Sequence, residues 1–179
     1  MRKFCFLLCI FLFCRAAVAQ DASLYLWGAV LEGPYKTNIV ENAELSIVKT
    51  GNTDYPLSLV LDVKNIDGVS VRQLVDKYDV AGSLPKIESI FFYPIQDVKS
   101  AFVLVSWEIN HRGIGTYGTL YQVYAYARHG SGKLIPNQLI QANRYLSGID
   151  GVSDGVPQKF AYKDAASIKA YVKKHLNTL

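Results

Sequence analysis

Most apolar residues of this chain fall in short segments rich in β-branched and aromatic side chains. Leu24 to Leu31, Ala43 to Lys49, Leu57 to Val63, Lys86 to Tyr93, Ala101 to Asn110, Thr116 to Arg128 and a short Gln158 to Tyr162 are each bounded by Gly, Pro, Asn or Asp, which predicts strands. Most links between them are too short for a helical crossover, so the pattern predicts antiparallel pairing. Ala101 to Asn110 and Thr116 to Arg128 read as the centre of the sheet. Tyr117, Tyr121, Val123 and Ala125 point one way along the second of these strands, and Leu120, Tyr124 and Tyr126 point the other.

Three segments carry helical spacing instead. Ser70 precedes Val71, Leu74, Val75 and Tyr78, with Gln73 where a capping box needs its return acceptor. From Pro136 to Leu146, Pro136 fits a first helical position, and Leu139, Ile140 and Leu146 form an inward set. Asp164 caps a stripe of Ala165, Ile168, Val172 and Leu176, and Lys173, Lys174 and His175 sit at the negative end of the dipole. The expected fold is α+β: a single domain with a mainly antiparallel sheet of about six or seven strands and two or three helices packed on one face. No stretch is Pro/Ser-rich, low in complexity or repeated, so residues 20–179 read as one soluble domain without a linker.

The first 19 residues read differently. Arg2 and Lys3 precede an uncharged apolar run from Phe4 to Cys14, and Ala17, Val18 and Ala19 supply the small residues of a cleavage site. Residues 1–19 are therefore expected to be a cleavable signal peptide. The run is too short for the roughly 20 residues of a membrane span, and no later segment is longer, so no span is expected after leader removal. Phe13 before Cys14 and Arg15 after it argue against a lipidated N-terminus.

The leader also distorts the composition. Removing Arg2, Lys3 and Arg15 from the 19 basic residues leaves 16 against 15 acids, so the mature charge is near neutral. Without a clustered basic face, nucleic acid is not an expected partner. All three cysteines, Cys5, Cys9 and Cys14, lie in the leader, which excludes disulfides, thiolate nucleophiles and cysteine-ligated zinc from the mature chain. The chain also lacks an Asn-x-Ser/Thr sequon. The two absences together point to a bacterial periplasm, with secretion as the alternative.

No catalytic motif survives inspection of its mechanics. Gly113 to Gly118 spells the G-x-G-x-x-G of a dinucleotide fingerprint, but strand residues follow it where a helix N-terminus is required. Ser46 to Lys49 and Lys49 to Gly51 spell two elements of the serine β-lactamase set, yet one lysine would have to serve both. His111, His129 and His175 form no ligand pair, and there is no Gly-x-Ser-x-Gly elbow. Gly148 to Gly155 places Asp150 and Asp154 among glycines without the ligand spacing of a calcium loop, and reads as a surface turn suited to partner contact. No catalytic residue, cofactor or metal site is expected.

The positive signal is aromatic. The chain has 12 tyrosines and 2 tryptophans, and His111 and Arg112 crown the connection between two aromatic strands. Tyrosine with arginine is the usual composition of an interface hot spot. Trp107, His111, Arg112, Tyr117, Tyr121, Asp150 and Asp154 are the expected partner-binding residues. The expected function is that of a periplasmic, non-enzymatic binding protein with a protein partner, an inhibitor or immunity-type protein acting on an envelope-targeting toxin or hydrolase. The alternatives are a small envelope hydrolase with an unsignalled carboxylate pair, recognisable by a raised carboxyl pKa, or a small-ligand carrier with a dry cavity.

Overall fold

The computed structural model describes residues 28–130 and 132–177. The expected signal peptide, residues 1–19, and the start of the first expected strand, residues 24–27, lie outside the described residues. Among the described residues there are ten strands: β1 Val30–Thr37, β2 Ala43–Lys49, β3 Leu57–Lys64, β4 Ser70–Tyr78, β5 Lys86–Ile95, β6 Val98–His111, β7 Thr116–Arg128, β8 Leu134–Pro136, β9 Ser147–Ser153 and β10 Val156–Gln158. The helices are α1, Gln138–Gln141, and α2, Ala165–His175.

These strands build two antiparallel sheets. The smaller has the order β1-β2-β3-β4, and the larger β10-β9-β7-β6-β5, with β8 pairing one end of β7. Alternation along each strand produces two cores. Leu45, Ile47, Leu59 and Leu61 of the small sheet meet Val103, Val105, Trp107 and Tyr126 of the large one. On the opposite face of the large sheet, Phe102, Leu104 and Val123 pack against Ile168 and Val172 of α2, with Ile140 and Leu146 closing the side. Each such side chain, fully buried, contributes roughly 1.5–3 kcal/mol of transfer free energy. The described residues are thus layered as small sheet, large sheet and α2.

This overturns the α+β expectation of one six- or seven-stranded sheet with two or three helices on one face. The segment expected as the first helix is β4. Its pairing with β3 shifts between Leu59↔Asp76 and Val60↔Leu74, so Val75 and Asp76 together form a bulge. The bulge interrupts the period of two, so Val75 and Tyr78, three residues apart as on a helical stripe, both pack into the core between the sheets while Val71 is 52% exposed. The second expected helix dissolves for another reason. Asn137 Oδ1 accepts from Leu139 N and Asn143 Oδ1 from Tyr145 N, both at 3.0 Å, so the chain is capped twice within seven residues. It yields only the one-turn α1 and a 3₁₀ turn over Arg144–Leu146. The C-terminal helix forms as its stripe requires, with Asp164 Oδ1 accepting from Ser167 N at 2.8 Å.

The β4 bulge has a second effect, since it aims Asp76 between the sheets. Tyr126 Oη donates to Asp76 Oδ2 at 2.7 Å, and the Tyr78 and Tyr126 hydroxyls lie 3.2 Å apart. Burial, above all, pushes the phenols of Tyr78, Tyr124 and Tyr126 upward, so all three stay neutral donors at physiological pH. Tyr126→Phe removes a donor from a part-buried carboxylate. It is expected to cost about 1–3 kcal/mol in denaturant unfolding, and a cost under about 0.5 kcal/mol would show that Asp76 is solvated.

Candidate functional site

Antiparallel topology brings four connections to one end of the layered sheets: residues 50–56, 79–85, 112–115 and 154–155. They are tied to one another. Val80 N donates to Asp54 O at 2.9 Å, joining the first two, and Glu108 N donates to Ser83 Oγ at 2.7 Å, tying the 79–85 loop to β6. Gly155 N donates to Gly115 O at 2.9 Å and Asp154 N to Thr116 Oγ1 at 3.1 Å, joining the last two. Beneath them the Trp107 indole donates to Asp79 O at 2.9 Å, pinning the 79–85 loop to the large sheet.

This end presents apolar side chains to solvent. Leu84 is 69% exposed, Ile114 70%, Val156 55% and Val80 43%. Beside them the Arg112 guanidinium lies 4.6 Å from the centre of the Tyr117 ring, a cation–π contact that holds the cation over the aromatic face. Asp54, Asp79 and Asp154 are exposed around the same rim. These four apolar residues, the Arg112–Tyr117 pair and the three aspartates thus share one end of the sheets.

The residues singled out from the sequence separate into three groups. His111, Arg112, Tyr117 and Asp154 belong to this end. Tyr121 and Asp150 lie farther along the helix side of the large sheet, where Tyr121 stacks on Phe160 with ring centres 5.5 Å apart. Asp150 forms an ion pair with Lys163, and that hydrogen bond holds its carboxyl below the usual aspartate value. Trp107 is only 2% exposed and faces the small sheet, so it supports the loops from below and is not on the surface. Leu84, Ile114, Val80 and Val156 were not singled out. Their signal in the sequence is an apolar residue stranded among turn formers, as in Gly113-Ile114-Gly115 and Gly82-Ser83-Leu84-Pro85.

The Gly148 to Gly155 segment is more than a surface turn. It forms β9 and the two-residue turn into β10, where Asp154 and Gly155 take φ of 51° and 76°, the left-handed pair that a tight hairpin requires. Among the described residues, no group of three or more His, Asp, Glu or Cys side chains gathers in a metal-binding arrangement. No described helix is long and apolar enough to cross a membrane.

No protein-family model, curated protein or solved structure matches this chain.

Proposed function

We propose that the protein is an exported, non-enzymatic binding protein of the inhibitor or immunity type, which applies its four-loop end to a toxin or hydrolase of the cell envelope. The observation that carries this reading is the set of exposed aliphatic side chains at one end, Leu84, Ile114 and Val80 on the loops and Val156 at the start of β10, with Arg112 stacked on Tyr117 at the same end. Loops fixed by a rigid scaffold present such anchors at little entropic cost on binding. Asp150 and Asp164 lack the electrostatics of a general acid. Asp150 is held below its ordinary value by Lys163 and Asp164 by the Ser167 amide, opposite to the upward shift a catalytic acid needs.

The test begins with affinity capture by the mature protein from bacterial envelope and culture extracts, followed by titration of the captured partner. Arg112→Ala is expected to weaken binding by about 1–2 kcal/mol, a loss of roughly 5- to 30-fold, without changing the unfolding midpoint. Equal affinity of wild type and variant would remove the Arg112–Tyr117 pair from the interface.

A further inference from the structure

A second feature lies on the helix side of the large sheet, between the β8–β9 connection and α2. It is an open groove of about 410 Å³, lined by Gln138, Leu139, Asn143, Arg144, Tyr145 and Tyr171. Its volume falls in the range of small-ligand sites. Its open form and its amides and phenols do not suit a wholly apolar ligand, which gains most from enclosure.

Three properties narrow the chemistry. The first is a solvent-exposed aromatic ring, tilted at 46° to that of Tyr171 with ring centres 6.4 Å apart. Tyr145 is 57% exposed, and Arg144 steadies it, with the guanidinium 5.1 Å from the ring centre and Nη2 donating to Tyr145 Oη at 3.1 Å. The second is the sign of charge. From Lys133 to Ile149 the chain has no Asp or Glu, and the last turn of α2 carries Lys173, Lys174 and His175, with the His175 ring 4.6 Å from that of Tyr171. The third is preorganisation of the polar wall. The Asn143 side chain and the Tyr171 hydroxyl lie 3.0 Å apart in hydrogen-bond contact, and Asn143 also caps the 3₁₀ turn that bears Tyr145.

We infer that this groove binds a saccharide ring that carries a carboxylate. The apolar C–H face of the pyranose packs on Tyr145, the carboxylate pairs with the Arg144 fork, and ring hydroxyls exchange hydrogen bonds with the Gln138 and Asn143 amides. A bare anion has no use for the exposed ring, and a neutral sugar has none for the one-signed charge. This site is separate from the four-loop end and does not depend on its function.

The inference is tested by titrating the protein with glucuronate, glucose and acetate while following backbone amide NMR shifts. Glucuronate is expected to saturate with a Kd of about 1 mM, shifting the amides of residues 138–145. Glucose, which lacks the carboxylate, and acetate, which lacks the ring, should each bind at least tenfold more weakly. Arg144→Ala and Tyr145→Ala should weaken glucuronate by a similar factor, and because both side chains are exposed the variants should keep the wild-type unfolding midpoint. Absence of saturable shifts with glucuronate would overturn the inference, as would equal binding of glucose or acetate, or variants that bind glucuronate like wild type.

Discussion

Trp107→Ala is expected to lower unfolding free energy by about 3–5 kcal/mol, the range for truncating a large aromatic in a packed core. Trp107 is 2% exposed and lies between the sheets with Val105, Ile47 and Leu59 in the same core. The substitution opens a cavity where two layers meet, and neither sheet can close it without breaking its own ladder. It also removes the donor to Asp79 O, leaving that carbonyl to find water. Denaturant unfolding with Trp107→Phe as a second variant separates the two contributions, since phenylalanine restores most of the volume but not the hydrogen bond. The Phe variant should recover more than half of the loss. An alanine cost below about 1 kcal/mol would place Trp107 at a surface, as its sequence context had suggested.

Gly118→Ala is expected to cost about 2–5 kcal/mol, combining a strained left-handed backbone with an overpacked contact. Gly118 has φ of 130°, and a Cβ there would lie 2.5 Å from Asp150 O and 2.8 Å from Gly151 Cα. Gly118 and Gly151 face each other across β7 and β9, so the strands approach more closely than side chains allow. Alanine must push β9 outward. That movement would displace Asp150 and the 154–155 turn together, so partner affinity should fall along with stability. Hydrogen exchange checks the mechanism: protection should drop in β9 and β10 before it drops in β5 and β6. Uniform loss of protection, or none, would contradict it.

The third glycine of the G-x-G-x-x-G string is therefore a strand-packing residue. Gly115 is constrained too, with φ of 70° and a would-be Cβ only 2.9 Å from Gly155 N. The string marks the place where two hairpins touch, a tertiary fact that local pattern does not contain. Where pattern and packing agree, the sequence was readable. Tyr121, Val123 and Ala125 do face the α2 side, and Tyr124 and Tyr126 do face the other sheet. β4 was unreadable because its bulge turns a period of two into apparent helical spacing. β9 was hidden because the glycines that allow its close pairing with β7 also resemble a loop. Division into two sheets was hidden for a further reason, since antiparallel alternation does not say which hairpins share a sheet.

The candidate site was legible in part. Arg112, Tyr117, His111 and Asp154 could be placed at a strand connection from the sequence because polar and aromatic residues cluster there, and the structure sets them at one end of the sheets. Leu84 and Ile114 were passed over because an apolar residue in a short loop usually turns inward. The fixed loop conformations keep them out: Ser83 is held by Glu108 N, and Arg112 to Ile114 form a 3₁₀ turn closed by Gly115.

The most direct measurement is a comparison of Ile114→Asp with Ile66→Asp against the captured partner. Ile114, 70% exposed, belongs to the four-loop end, whereas Ile66, fully exposed, sits in the β3–β4 turn at the opposite end. Neither change should alter the fold, since both side chains are in solvent. A charge at the centre of an apolar contact should reduce affinity at least tenfold for Ile114→Asp and leave Ile66→Asp within twofold of wild type. Loss of binding in Ile66→Asp with Ile114→Asp unaffected would place the interface at the other end of the molecule.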